Sequence, residues 1–195
     1  MDMDDFSRRL GQKAQALARL QARALPVKVG RMAKDFFQEH FRLGGWRDGG
    51  LRRWQPARRQ LVGGKGASAQ YGPLLSGRNH LRSSISYVPG AGRVRVFTTV
   101  PYAPVHNYGG TVSTHPRVTP RMRRYAWARF FAAGGGKGRQ APEEAAKWRA
   151  LALTRKQRLT VRARIPQRKF MGESRELSKA VRDMAANEVR KLINA

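Results

Sequence analysis

The sequence predicts an α+β fold: a small antiparallel β-sheet packed against long N- and C-terminal helices, with a helical hairpin inserted between two of its strands. Three observations carry that expectation. Apolar residues recur at helical spacing near both ends of the chain. Between them, at 81–98, two β-rich runs flank the breaker Pro89-Gly90-Ala91-Gly92, which is a hairpin pattern. Finally, 121–156 holds two further helical patterns around a run of glycines. The 195 residues suit one domain in five sections. These are N-terminal helices at 1–43, a basic loop at 46–73, a β-hairpin core at 74–118, the helical insertion at 119–156, and a strand with the last helix at 157–195. A chain of this length can bury roughly 70% of its unfolded surface, so it needs no covalent staples.

In chain order, Asp4 to Ala24 reads as an amphipathic helix, with Phe6, Leu10, Ala14, Leu17, Leu20 and Ala24 as its stripe. Asp2, Asp4 and Asp5 complement the positive end of its dipole. Pro26 suits the first turn of a second helix reaching about Phe41. Val29, Met32, Ala33, Phe36 and His40 share one face of it, and Phe37 and Phe41 form a second apolar edge. His40 is expected to be an interfacial core residue. Gly44-Gly45 ends that helix, and Trp46 to Tyr71 reads as loop. The run Gly63-Gly64-Lys65-Gly66 lacks the spacing and the preceding strand of a phosphate-binding loop, and is set aside.

Ser76-Gly77 is a turn signal. Leu81 to Val88 is expected as a strand with Leu81, Ser83, Ile85 and Tyr87 on one side. Val94, Val96 and Thr98 alternate with Arg93, Arg95 and Phe97 on the return, which ends at Pro101, where a ladder donor is lost. Tyr102 to Gly110 reads as a loop closed by two glycines. Thr111 to His115 is a short β-like run, bracketed on exit by Pro116 and Pro120. Met122 to Ala133 is an aromatic and cationic helix, 134–138 a flexible linker, and Pro142 to about Lys156 another helix. Leu159 to Arg162 is a strand. Ile165 to Phe170 is extended, because a proline disfavours helix in the residue before it. Glu173 or Ser174 begins the last helix, with Leu177, Val181, Met184, Ala185, Val189 and Leu192 as its buried stripe.

Charge narrows the function classes. Forty Lys and Arg stand against twelve Asp and Glu, a formal net charge of +28. No carboxylate lies between Asp48 and Glu143, and none between Glu144 and Glu173. Such a field attracts nucleic acid or an acidic protein partner. Arg52, Arg53, Arg58, Arg59, Arg123 and Arg124 are the candidate contacts. Trp46 and Trp54 interleave with the loop cations; they either stack on bases or anchor the loop to the core. Tyr125, Trp127, Phe130, Phe131 and Trp148 give the insertion more aromatic surface than a short helical pair buries internally. They form either a contact surface or the face that docks on the parent domain. With no Cys, disulfides and thiolate chemistry are excluded. The acidic start is unlike a secretory signal. No apolar run approaches the ~20 residues that span a bilayer, so no membrane partner is expected.

No catalytic constellation is legible. The four His residues are His40, His80, His106 and His115. None pairs with another at helical spacing, and no carboxylate lies nearby in sequence to orient the last three. No enzyme activity, metal site or cofactor is expected. His106 is expected to hold the shape of its loop through ring-nitrogen hydrogen bonds.

Three blocks in order carry a resemblance. The first is Phe41 to Trp54, including Trp46. The second is Leu75, Ser76, Gly77, Leu81, Ser84 and Ile85, followed after the hairpin by Tyr102, Ala103, His106, Gly109 and Gly110. The third is Ile165-Pro166-Gln167-Arg168-Lys169-Phe170-Met171-Gly172. The ordered set resembles the phage virion morphogenesis family of the Mu G protein and related tail-completion proteins. One departure is Asn79-His80, which lengthens the segment between turn and strand. The resemblance implies a structural virion protein that completes the tail or joins tail to head at the neck. It further implies action as a homo-oligomeric ring, expected to be a hexamer, assembled in the host cytoplasm. Neighbouring neck, tail-tube or head-connector proteins would be partners, with packaged DNA passing through the lumen. Trp46, Ser76, Gly77, Leu81, Tyr102, His106, Gly109, Gly110, Pro166, Arg168 and Phe170 would be its assembly motif. The alternative is a nucleic-acid-binding protein that uses its basic surface.

Overall fold

The computed structural model describes residues 3–61, 66–136 and 142–194. Asp2, Gly63-Gly64-Lys65 and the Lys137-Gly138 part of the glycine run lie outside the described residues. The architecture is α+β, and the described strands form three two-stranded sheets rather than one continuous sheet. The chain divides into two compact units. One comprises Met1–Gly110 with Ile165–Ala195, and the other Thr111–Arg164.

In the first unit, α1 (Met3–Arg19) runs through a single wide turn at Leu20–Ala24 into α2 (Leu25–Leu43). Pro26 sits in the first turn of α2, where its missing N–H costs nothing. The buried face of α2 is Pro26, Gly30, Ala33, Phe37, His40 and Phe41, one stripe at helical spacing. A hairpin of β3 (Ser86–Gly90) and β4 (Arg93–Phe97) pairs Ser86 with Phe97 and Gly90 with Arg93. It packs across α2, and the Tyr87 ring lies so close that a Cβ on Gly30 would come 2.2 Å from it. The helix α9 (Arg175–Asn194) half-buries the predicted stripe from Leu177 to Leu192. It is tied to α2 by the Lys28–Glu188 ion pair at 2.5 Å and to α1 by Lys13 Nζ, which donates to the Ile193 carbonyl. By contrast α1 buries none of its residues; Phe6, Leu10 and Leu17 are exposed.

Several boundaries differ from the sequence expectation. Leu81 lies not in a strand but in the short helix α5 (His80–Ser83). Ser83 Oγ donates to the His80 carbonyl and Ser84 Oγ to that of Leu81, at 3.1 and 2.8 Å. These local bonds close a helical turn and defer the strand to Ser86. The 46–71 loop contains a ribbon of β1 (Gly45–Arg47) and β2 (Leu51–Arg53), and the helical turns α3 (Arg58–Leu61) and α4 (Ala67–Gln70). The 102–110 segment is mostly helical, as α6 (Ala103–Tyr108), with Pro104 in its first turn.

The second unit pairs α7 (Pro120–Ala132) with α8 (Glu143–Leu153). Thr119 caps α7, its Oγ1 accepting from Met122 N at 3.2 Å. Ala126, Ala145 and Ala152 are fully buried, so small side chains let the two helices approach closely. Phe130 packs beside them, and Tyr125 meets Trp148 edge-on at 5.8 Å. Arg123 donates to the carbonyls of Ala152 and Thr154, at 2.9 and 2.7 Å, and thereby closes the C-terminus of α8. A ribbon of β5 (Gly110–Thr114) and β6 (Val161–Ile165) completes this part of the chain.

Candidate functional site: a clasp around the late extended segment

Trp46, from one stretch of the sequence, and His106 and Gly109, from another, meet the segment 165–172 with its Arg168 and Phe170 within the first unit. Phe170 is 1% exposed and packs against the Phe41 ring at 5.1 Å. Its amide, and that of Met171, donate to Asn107 Oδ1 at 2.9 and 3.0 Å. Asn107 Nδ2 in turn donates to the Met171 carbonyl at 3.0 Å. One buried carboxamide therefore satisfies three backbone groups of the extended segment, which has no sheet partner to do so. Gly109, at φ +76°, has no room for a side chain: a Cβ there would lie 3.0 Å from Gln167 N.

Arg168 is the charged member of the clasp, 6% exposed. Its amide donates to the His106 carbonyl at 2.7 Å. Its Nε donates to the Gln55 carbonyl at 3.0 Å and its guanidinium nitrogen to that of Pro56 at 3.2 Å. A charge so placed is held by carbonyl dipoles rather than by a carboxylate. Burial, and after it the charge on Arg59, lower the Arg168 pKa from its ordinary range.

The tryptophans lock the other side. Trp54 Nε1 donates to the Lys169 carbonyl at 3.0 Å, and Lys169 Nζ sits 4.2 Å above the Trp46 ring. Trp46 stacks on His40 at 4.5 Å. Both indoles are buried, at 6% and 8% exposure, and anchor the loop to the core. His40 Nδ1 lies 3.3 Å from the Phe170 carbonyl. A carbonyl only accepts, so the proton is on Nδ1. Nε2 is buried with no hydrogen-bond partner among the described residues. Asp48, which accepts from Arg175 N at 2.8 Å and Ser174 Oγ at 3.3 Å, fixes the start of α9 just after the clasp.

Burial, reinforced by the nearby Arg47 charge, pushes the His40 pKa down to about 4 against the ordinary His range, although the bond to Phe170 opposes this. His106 is lowered too, by burial and then by Arg168. Both groups fold neutral and take up protons more readily when unfolded. Their stabilisation is therefore complete above roughly pH 6.5 and is lost as pH falls toward the folded value. For His40 the loss by pH 4 is expected to be on the order of 3 kcal/mol. Urea denaturation at stepped pH checks this. The slope between those limits should be shallower in His40→Phe, and an equal slope in both proteins would remove His40 as its source.

The remaining site residues fall as follows. His106 is not the residue that hydrogen-bonds the loop: its Nδ1 is buried without a partner among the described residues, and its ring meets Tyr102 edge-on at 5.9 Å. That work falls to its neighbour Asn107, whose side chain the sequence does not single out. Leu81 is buried in the same core, Pro166 is half-buried beside the clasp, and Ser76 and Gly77 are exposed in a turn. Gly110 follows Gly109 at the start of β5. Arg52, Arg53, Arg58 and Arg124 are exposed. Arg59 donates to the Gly72 and Leu75 carbonyls at 2.6 and 2.9 Å, so it and Arg123 brace the fold. In the insertion, Tyr125 and Phe131 are exposed, Trp127 and Trp148 half-buried, and Phe130 buried.

Against the clasp lies an apolar concavity of about 380 Å³, bounded by Val100, Pro101, Ala103, Pro104, Tyr108 and Met171. The converging groups are backbone dipoles, a carboxamide, a guanidinium and aromatic rings. Such a set holds a shape and presents an apolar hollow beside it. No three His, Asp or Glu residues among those described are placed to hold a metal ion. No described helix is long and apolar enough to cross a membrane.

Compared with known proteins, the chain matches the sequence model of the phage virion morphogenesis family over residues 3–190. No curated protein and no solved structure gives a significant match.

Proposed function

The chain belongs to the phage virion morphogenesis family and serves virion assembly; from that premise we propose that it is a structural component, without enzymatic activity, that completes the tail or joins tail to head at the neck. In this reading it acts as a homo-oligomeric ring, expected to have six subunits. Its partners are copies of itself and adjacent neck, tail-tube or head-connector proteins, and packaged DNA passes through the lumen. The observation that carries the reading is the uncovered apolar surface. Phe6, Leu10 and Leu17 are 41–59% exposed along one helix, and Tyr125 and Phe131 are 58% and 60% exposed on another. An amphipathic helix such as α1, which leaves its apolar stripe uncovered in its own subunit, gains stability from packing elsewhere. Subunits that meet through unlike faces form a ring when the rotation between them closes, and an open filament when it does not.

Electron microscopy of particles made without this gene product tests the role. Filled heads and finished tails lying separate support it, and normal particles remove it. A narrower result is expected from deleting 121–156 and bridging the ends. The variant should keep a cooperative unfolding transition, because Thr111–Arg164 forms its own compact unit, yet fail to restore infectivity. Loss of the transition would make the insertion part of one core.

A further inference from the structure

The second unit carries a cationic ribbon that the assembly role does not require. Residues 111–164 contain eleven Arg and three Lys against two Glu, and Glu143 is already paired with Lys147 at 2.6 Å. Beyond β5 and β6 the ribbon continues as an antiparallel bridge between Arg117 and Arg158. Val118 N donates to the Gln157 carbonyl at 2.9 Å and Leu159 N to that of Pro116 at 3.0 Å. This pattern makes Arg117 and Arg158 a non-hydrogen-bonded pair, the type whose side chains stand closest. Two like charges directly opposite destabilise a ribbon, and no carboxylate among the described residues relieves them. Farther along, Arg162 and Arg164 are two residues apart in β6 and so share one side of that strand. All four are exposed, and none makes a side-chain hydrogen bond or ion pair among the described residues.

We propose that Arg117, Arg158, Arg162 and Arg164 form a phosphate-binding face that grips the backbone of duplex DNA. An anion between Arg117 and Arg158 turns their repulsion into a binding contribution. Thirty of the forty cationic residues of the chain are Arg, whose planar fork matches phosphate oxygens. A docked acidic protein would need an apolar patch at the centre of its interface. The strands β5 and β6 offer only small and β-branched side chains beside their arginines. Single strands are held by aromatic stacking, and neither β5 nor β6 carries an aromatic residue. A two-stranded ribbon also fits the dimensions of a DNA groove. The proposal does not depend on ring formation.

The test titrates the full-length protein with a fluorescent mixed-sequence DNA duplex over a range of salt. Two quadruple variants are compared with it: Arg117→Gln/Arg158→Gln/Arg162→Gln/Arg164→Gln, and Arg52→Gln/Arg53→Gln/Arg58→Gln/Arg78→Gln, which removes equal charge from exposed sites in the first unit. The logarithm of affinity falls with that of salt by about 0.9 per phosphate contact. The ribbon variant should therefore lose roughly 3–4 units of slope, and the second variant much less. Equal losses in both would reduce the ribbon to part of a diffuse field, and an unchanged ribbon variant would overturn the assignment. Polyglutamate that displaces the duplex at equal charge would assign the face to an acidic protein instead. Hydrogen exchange on the native protein gives a readout that does not depend on the variants folding. Amides of β5, β6 and the Arg117–Arg158 bridge should slow when duplex is added, and no change there would equally overturn the proposal.

Discussion

Asn107→Ala is expected to destabilise the first unit by about 3–5 kcal/mol, since it breaks three hydrogen bonds and leaves a buried backbone amide unsatisfied. The amide of Phe170 has no other acceptor in the described structure, and that of Met171 shares the same Oδ1. A net hydrogen bond contributes about 1 kcal/mol, whereas an orphaned buried donor costs about 1–3 kcal/mol. The lost bonds and the orphaned donor therefore contribute comparably to the sum. Urea denaturation monitored by tryptophan fluorescence would read the loss, because Trp54 donates into the same segment at Lys169. A loss below about 1 kcal/mol would mean that water or relaxed backbone replaces the carboxamide. Asn107→Asp refines the test. Its carboxylate still accepts from both amides but turns an oxygen toward the Met171 carbonyl, where Nδ2 donates in the native protein. The protonated acid can donate there and the ionised one cannot. Two amides donating to the carboxylate favour its charged form, while burial and the facing carbonyl favour the neutral one; stability that rises as pH falls would give the carbonyl and burial the greater weight, and stability that falls would give it to the amides.

Phe170→Ala is expected to cost about 3–5 kcal/mol, the range for removing a buried ring and leaving a cavity. The ring is 1% exposed and touches Phe41, itself 1% exposed, so little can move in to fill the space. Phe170→Leu, which keeps most of the volume, should cost clearly less. If the alanine and leucine variants lose the same amount, the ring is not packed as described. The Asn107 and Phe170 effects should not add. The carboxamide positions the backbone of the residue whose ring is being removed, and coupled neighbours share their free energy. A double variant that costs the full sum would separate the two. Both substitutions should also perturb the His40 contact, because its Nδ1 bonds to the Phe170 carbonyl.

How much of this was legible depends on how local the signal is. The helix over Leu25–Leu43 is written in apolar spacing and in Pro26. The hairpin turn is written in Gly90-Ala91-Gly92, and the last helix in its stripe from Leu177 to Leu192. The strand at 81–85 failed because Ser83 and Ser84 bond to carbonyls three residues back, and alternation of apolar residues does not register that competition. The arginines were the least legible. Arg52 and Arg59 look alike in a basic loop, yet one is exposed while the other reaches carbonyls at Gly72 and Leu75. The Arg117–Arg158 opposition has no sequence sign, because it depends on a strand register formed across forty residues of intervening chain.

Read alone, the chain determined its α+β class, its family through the order of three motif blocks, and its one-signed field, because periodicity, motif order and charge are properties of neighbouring residues. Folding in three dimensions decided which polar groups became partners. Asn107 meets the backbone 63 and 64 residues away, Asp48 caps a helix 127 residues away, and Arg168 finds carbonyls 112 and 113 residues away. A buried donor or acceptor takes whatever complementary group chain closure brings within about 3 Å, and that distance has no counterpart along the sequence.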